Sequence, residues 1–146
     1  MADAAVAGRF ALAALLGFAV GLEREYRGKA AGMRTFALIA LGAAAFTSIA
    51  IARFPLSGDR VIQGVVAGIG FLGAGIIFQR EEGVVEGLTT AASIWSVAAI
   101  GVLIGSSAYV SGLVATLLVV VILEIDRLPA LRRFKRYRHE ESVGEP

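Results

Sequence analysis

Apolar residues in this chain do not alternate with polar ones. They collect in five long runs, Ala4–Leu22, Phe36–Ala52, Val61–Phe78, Leu88–Gly105 and Ala108–Leu123. Alternation would mark half-buried strands, and a narrow apolar stripe would mark a surface helix. Runs that are apolar on every side mark helices surrounded by other helices or by lipid. Each run is close to the roughly 17–25 residues that a helix needs to cross a bilayer. Arg9 is the only formal charge well inside a run, and its long side chain can reach the nearer surface. Pro55 and Gly58 break the chain after the second run, and Gly105-Ser106-Ser107 reverses it after the fourth. The pattern predicts an all-α polytopic membrane protein. Residues 1–125 form a bundle of five transmembrane helices, and residues 126–146 form a basic juxtamembrane tail.

The third run carries the densest glycine pattern. Gly68, Gly70 and Gly73 spell G-x-G-x-x-G, but a dinucleotide site needs a strand before that motif and a helix opening on it. Here the flanks are apolar and uninterrupted, so the motif falls inside a membrane helix. On a helical wheel Ile62, Val65, Ile69, Leu72 and Ile76 form a bulky stripe, which would face lipid or a larger neighbour. Gly64, Gly68 and Gly75 share a second sector, and Gly70 and Gly73 a third. Small residues on two faces predict close approach by two neighbours and a central third helix. Trp95 is expected to fill a packing gap in the fourth helix, with Ser93 and Ser96 bonded to their own helix.

Composition strengthens the membrane reading. The chain of 146 residues is 57% hydrophobic and 18% charged, with a mean hydropathy of +0.75. Soluble domains carry about 45–50% apolar and about 25% charged residues. There is no cysteine, which excludes thiol chemistry. The first run lacks a preceding basic region and a small-residue cleavage site before Glu23-Arg24-Glu25, so it reads as a retained helix. No nucleophile–base pair, metal-spaced His/Cys set or phosphate-loop motif occurs. No enzyme and no cofactor are expected.

Charge fixes the expected orientation. Arg24, Arg27, Lys29, Arg34, Arg80 and the tail cluster from Arg127 to Arg138 fall on one side, against Arg9, Arg53 and Arg60 on the other. The positive-inside rule puts the N-terminus outside and the C-terminus in the cytoplasm. In the tail, Leu128, Leu131, Phe134 and Tyr137 recur every three residues among basic ones. That suits a helix lying on anionic lipid and not a nucleic-acid site.

The same topology gathers a polar cluster at the cytoplasmic surface: Glu23, Arg24, Arg34, Thr35, Arg80, Thr89, Thr90 and Glu124. Thr35 and Thr90 suit helix N-caps, and Glu23 or Glu25 is expected to pair with Arg34 and clasp the second helix. The functional alternative makes Glu23 and Glu25 ligands of a hydrated Mg²⁺, which uses one or two carboxylates and keeps several waters. There is also a short echo. Gly32-Met33-Arg34-Thr35 and Gly87-Leu88-Thr89-Thr90 each open an outward-going run with Gly, an apolar residue, and Thr three positions on.

The segments GLEREYRGKAAGMRTFALIALGAAAF, GIGFLGAGIIF and VEGLTTAASIWSVAAIGVLIG, in this order and spacing, resemble the membrane domain of the MgtC/SapB family. The resemblance covers nearly all of residues 17–123. It implies a five-helix inner-membrane domain with an external N-terminus, linked to magnesium limitation, acid tolerance and virulence. It also implies a regulator of another membrane complex, the ATP synthase being the archetype's partner, beside an older magnesium-transport label. The matching positions are Glu23, Arg24, Gly32, Arg34, Thr35, Gly70, Gly73, Gly75, Gly87, Thr90 and Trp95. Two departures stand out: a basic-then-acidic tail in place of a soluble C-terminal domain, and Thr89 where the archetype has asparagine. The expected function is a non-enzymatic regulator bound to a membrane partner or to a second copy of itself. The alternative is a divalent-cation transporter using the cytoplasmic carboxylates. No acidic residue lies at midmembrane depth, where transporter sites sit, and that favours the regulator.

Overall fold

The computed structural model describes residues 2–79 and 85–125. Five helices follow one another: α1 (Ala2–Tyr26), α2 (Met33–Arg53), α3 (Gly58–Ile76), α4 (Leu88–Gly105) and α5 (Tyr109–Glu124). Between α3 and α4 lie two-residue strands, β1 (Phe78–Gln79) and β2 (Val85–Glu86). They pair antiparallel with Phe78 opposite Glu86 and Gln79 opposite Val85. The chain is an all-α, multi-pass membrane protein. Helices α1 to α4 each have the length and apolarity of a span, while α5 is a shorter apolar helix of 16 residues. It runs beside α1 between the levels of Arg9 and Arg27, and is joined to that part of the chain at both of its ends. Arg9 Nε donates to the Tyr109 hydroxyl at 3.1 Å at one end. Arg27 Nη2 lies 3.4 Å from Glu124 Oε2 at the other.

The apolar runs locate the helices but not all their ends. α1 continues one turn past Leu22, because Glu and Arg are good helix formers. It stops at Gly28, whose φ of +62° suits a glycine C-cap. The last turn of α1 therefore carries Glu23, Arg24 and Glu25 on a rigid element and not in a loop.

The core is a seam of small residues. Ala40, Ala43 and Ala44 of α2 are at most 3% exposed, with α1 on one side and α4 on the other. A Cβ on Gly21 would lie 2.7 Å from Met33 Cα, and one on Gly105 would lie 2.6 Å from the Ala44 carbonyl oxygen. Backbones thus approach more closely than side chains would allow, which is how helices associate where lipid competes for apolar contact. Ser48 Oγ ties α2 to α4 by donating to the Gly105 carbonyl at 3.1 Å. Helix α4 touches all four other helices and is the central one.

Helix α3 departs from expectation. Only 6% of its apolar stretch is buried, against 50% for α4, so it is peripheral and not central. Most of its bulky stripe faces the bundle: Ile69 is buried and Ile62, Val65 and Ile76 are half-buried, while Leu72 is exposed. Bulky residues bury more area per contact, so they form most of the packed face, with Gly73 the one glycine buried among them. Gly64, Gly68, Gly70 and Gly75 have open space where a Cβ would stand; Gly73 meets Ala91 Cβ at an ordinary 3.6 Å. The expected packing role of the first four is therefore not met within one chain. Trp95 likewise fills no gap, being 53% exposed on the outside of α4. Between α2 and α3 lies an apolar cleft of about 680 Å³, lined by Leu38, Phe46, Val61, Gly64, Gly68 and Leu72 among others.

Candidate functional site

The charged side chains of the bundle concentrate at the end where α1 finishes, α4 begins and α5 finishes. Three successive features of α1 determine the arrangement. Glu23 and Arg24 lie on its inward side, and Arg27, just past its end, is four and three residues from them, the spacing that brings side chains one above another. Glu25, between them in sequence, points to the opposite side, toward α2.

Glu23 is enclosed, with a side chain only 7% exposed. Its carboxylate lies 3.6 Å from Arg24 Nη1 and also pairs with Arg27 Nε one turn on. Arg27 bridges from there to Glu124 at the end of α5. Arg24, 3% exposed, sends Nη2 to Thr90 Oγ1 at 2.9 Å. One guanidinium thus joins the end of α1 to the first turn of α4. Taking such charges out of water is costly unless they are paired, and removing one partner strands the other. The cluster is consequently a clasp in which each member holds the next.

Glu25 does a different job. Its Oε2 accepts a hydrogen bond from the Met33 backbone N–H at 2.9 Å, at the N-terminus of α2. The carboxylate satisfies an orphan donor and faces the positive end of the helix dipole. The expected pairing with Arg34 is replaced by this backbone contact. Arg34 is exposed and holds no ion pair among the described residues.

The threonines also differ from expectation. The N-caps of α2 and α4 are Gly32 and Gly87, so Thr35 and Thr90 each stand three residues into a helix. The sequence echo is therefore a shared way of opening a helix, with unequal results. Thr35 is exposed, whereas Thr90 is buried and receives Arg24. Gly87 has φ +89°, and a Cβ there would collide with the Ile76 carbonyl oxygen, so this position requires glycine. Thr89 is exposed beside Thr90. Arg80 and the tail from Asp126 lie outside the described residues.

As a magnesium centre, the two carboxylates do not fit. Glu23 faces two guanidinium groups and Glu25 faces a backbone N–H on the other side of the helix. Among the described residues no three His, Cys, Asp or Glu side chains converge. What the site does offer is a polar cavity of about 670 Å³, walled by the end of α1, the turn after it, β2, the start of α4 and the end of α5. Sequence reasoning missed Arg27 as the bridge to Glu124 and Gly101 with Gly105 as the α4 side of the seam. Only the four-residue spacing of those two glycines, the same as Gly17 and Gly21, signalled the second.

Comparison with known proteins agrees with this architecture. The model of the MgtC family matches residues 10–130. Protein SrpB of Synechococcus elongatus is 44% identical over 125 residues, covering 74% of this chain and 67% of that protein. The putative magnesium transporter YhiD of Escherichia coli is 39% identical over 140 residues, covering 90% of this chain and 65% of that protein. Protein MgtC of Salmonella typhimurium is 47% identical over 107 residues, covering 73% of this chain and 46% of that protein. The chain therefore spans 46% to 67% of the length of these relatives. No solved structure matches.

Proposed function

Because this chain belongs to the MgtC family, we propose that it is a magnesium-linked protein of the inner membrane that acts by binding another membrane complex. Its N-terminus is outside and its C-terminus is in the cytoplasm. The observation that carries the reading is the unused face of α3. Gly64 and Gly68 form part of the wall of the α2–α3 cleft and have no neighbour within 4 Å of a Cβ position. A helix from a partner can approach such a wall closely, since small residues admit backbone contact and packing drives association in lipid. An ATP synthase-like partner fits the family resemblance. Conversely, the carboxylates nearest to a transport site are held by arginines and a helix N-terminus, which argues against a cation path through the bundle. Among the described residues no three His, Cys, Asp or Glu side chains converge, which lends catalysis no support.

The absence of cysteine makes single-cysteine crosslinking clean. Leu72→Cys and Phe46→Cys, both at exposed cleft residues, should yield a discrete crosslinked partner in native membranes, and Phe54→Cys, outside the cleft, should not. Purified wild-type chain in liposomes should move no magnesium. Uptake by wild type that Glu23→Gln abolishes without unfolding would establish the transporter reading instead.

A further inference from the structure

The end of the bundle opposite the clasp is not flat. Helix α4 finishes level with Thr47 and Ser48 of α2: a Cβ on Gly105 would lie 3.0 Å from Thr47 Cβ, and Ser48 Oγ binds the Gly105 carbonyl at 3.1 Å. Helix α2 continues from there to Arg53, about 8 Å further at 1.5 Å per residue. Helix α1 gives an independent measure. Arg9 meets Tyr109 at the start of α5, yet α1 begins at Ala2, about 10 Å beyond that level. Helix α3 starts between the two heights. Gly58 lies beside Ala50, three residues short of Arg53, and Asp59 and Arg60 follow it back toward the clasp. The α1–α2 pair therefore stands taller than the turn joining α4 to α5.

The two levels carry different side chains. The lower rim holds half-buried Arg9 with exposed Ser106, Ser107 and Tyr109. The taller side exposes Ile49, Ile51 and Phe54. Helix α5 has 16 residues between the rim and the clasp, about 24 Å, whereas the 21 residues of α2 span about 32 Å. A bilayer core is about 30 Å thick. A flat leaflet suits only one side. At the height of α2 it immerses Arg9 and the α4–α5 turn in hydrocarbon; at the height of the rim it leaves Ile49, Ile51 and Phe54 in water. Arg9 does not snorkel along α1 toward Ala2, because its Nε donates to the Tyr109 hydroxyl beside the turn. What accommodates a charge held at depth is local thinning, with headgroups and water drawn down to it.

We propose that the recessed rim formed by Arg9, the α4–α5 turn and Tyr109 is a surface for phospholipid headgroups, over which the adjoining leaflet is thinned. The headgroup layer dips to the rim, where the guanidinium and hydroxyls meet lipid phosphates, while acyl chains keep their full height beside α2. This goes beyond the partner-binding reading and does not rest on it, since the cleft between α2 and α3 is a different surface. It is also independent of which leaflet is the outer one.

The test uses the full chain in vesicles of phosphatidylcholine and phosphatidylglycerol, spin-labelled at single cysteines in a sequence that has no others. Collision with oxygen reports hydrocarbon, and collision with a water-soluble nickel chelate reports water. Val110→Cys, at a residue 76% exposed on the first turn of α5, is compared with Ile49→Cys, at a residue 52% exposed on α2 at about the same height. Leu117→Cys, two turns deeper on the exposed side of α5, is the hydrocarbon reference. Relative to oxygen, the label at Val110 should meet the chelate about fivefold more often than the label at Ile49, as a polar probe partitions between water and an apolar phase. Leu117 should read like Ile49. Ser106→Cys, in the turn, should read like Val110 and replaces it if that chain does not fold. Wet labels at both Val110 and Ile49 would mean a flat leaflet at the lower level, and dry labels at both would mean a flat leaflet at the upper one. Either result overturns the proposal, as does an Ile49 label wetter than Val110. A Leu117 label as wet as Val110 overturns it too, because water would then run along α5 instead of stopping at the rim.

Discussion

Substituting Gly105 by alanine tests the small-residue seam directly. The added methyl would sit 2.6 Å from the Ala44 carbonyl oxygen, 2.9 Å from Ala44 Cα and 3.0 Å from Thr47 Cβ. Carbon contacts are optimal at about 3.5–4.0 Å, and none of these three neighbours is the end of a flexible side chain. Relief must come from separating α2 and α4 by several tenths of an ångström. Such a shift also stretches the 3.1 Å bond from Ser48 Oγ to the Gly105 carbonyl. Overpacking of this kind costs about 1–3 kcal/mol. With the weakened bond, worth about 0.6 kcal/mol between membrane helices, a loss near 2 kcal/mol is expected. Gly68→Ala adds the same methyl into open space and should change stability by no more than about 0.5 kcal/mol, as surface substitutions do. Both are measurable by denaturant unfolding in mixed micelles. A Gly105→Ala chain as stable as wild type, or an equal loss at Gly68, would refute the assignment of the seam to α2 and α4.

Further outcomes follow from the charged end and the outer surface. Glu23→Gln leaves Arg24 and Arg27 without their shared carboxylate and should destabilise the fold by about 3–5 kcal/mol, read in the same micelle assay. Glu25→Ala removes a helix N-terminal acceptor and should cost about 1 kcal/mol; an equal effect of the two would contradict their different environments. Ser48→Ala should lose about 0.6 kcal/mol, and combined with Gly105→Ala the losses should fall short of additive because both act on one contact. Trp95→Ala, at a residue 53% exposed, should leave the unfolding midpoint within about 0.5 kcal/mol of wild type, and a large loss would show that the indole packs after all.

The sequence pattern located each of the five helices among the described residues, because a run of apolar residues long enough for a bilayer has few alternatives. It did not locate their facing. In a bundle where every side is apolar, hydrophobicity carries no directional signal, and glycine count suggested α3 as the centre. The structure makes α4 the centre, with fewer glycines but two of them against the Ala44 backbone and its neighbours. The clasp was legible in membership and not in pairing. Glu23, Arg24, Thr90 and Glu124 share an end by topology alone. Which carboxylate meets which partner depends on the helical phase of α1. Its continuation past Leu22 puts Glu23 inward and Glu25 toward Met33. Arg24 and Thr90 are 66 positions apart, and nothing local to either announces the other.

That separation has a consequence for how the molecule is made. Glu23, Arg24 and Arg27 leave the ribosome with the first helix, yet Thr90 follows 66 residues later and Glu124 arrives only with the fifth. At about 5–20 residues per second, the guanidinium of Arg24 waits roughly 3–13 seconds for its hydroxyl. During that interval the acid and the bases of the first helix have only one another, on adjacent turns at the edge of the bilayer. The local pairing of Glu23 with Arg27 thus serves nascent chains as well as finished ones. It holds one acid against one base there, and Glu25 offsets Arg24, until the rest of the bundle comes to close over them.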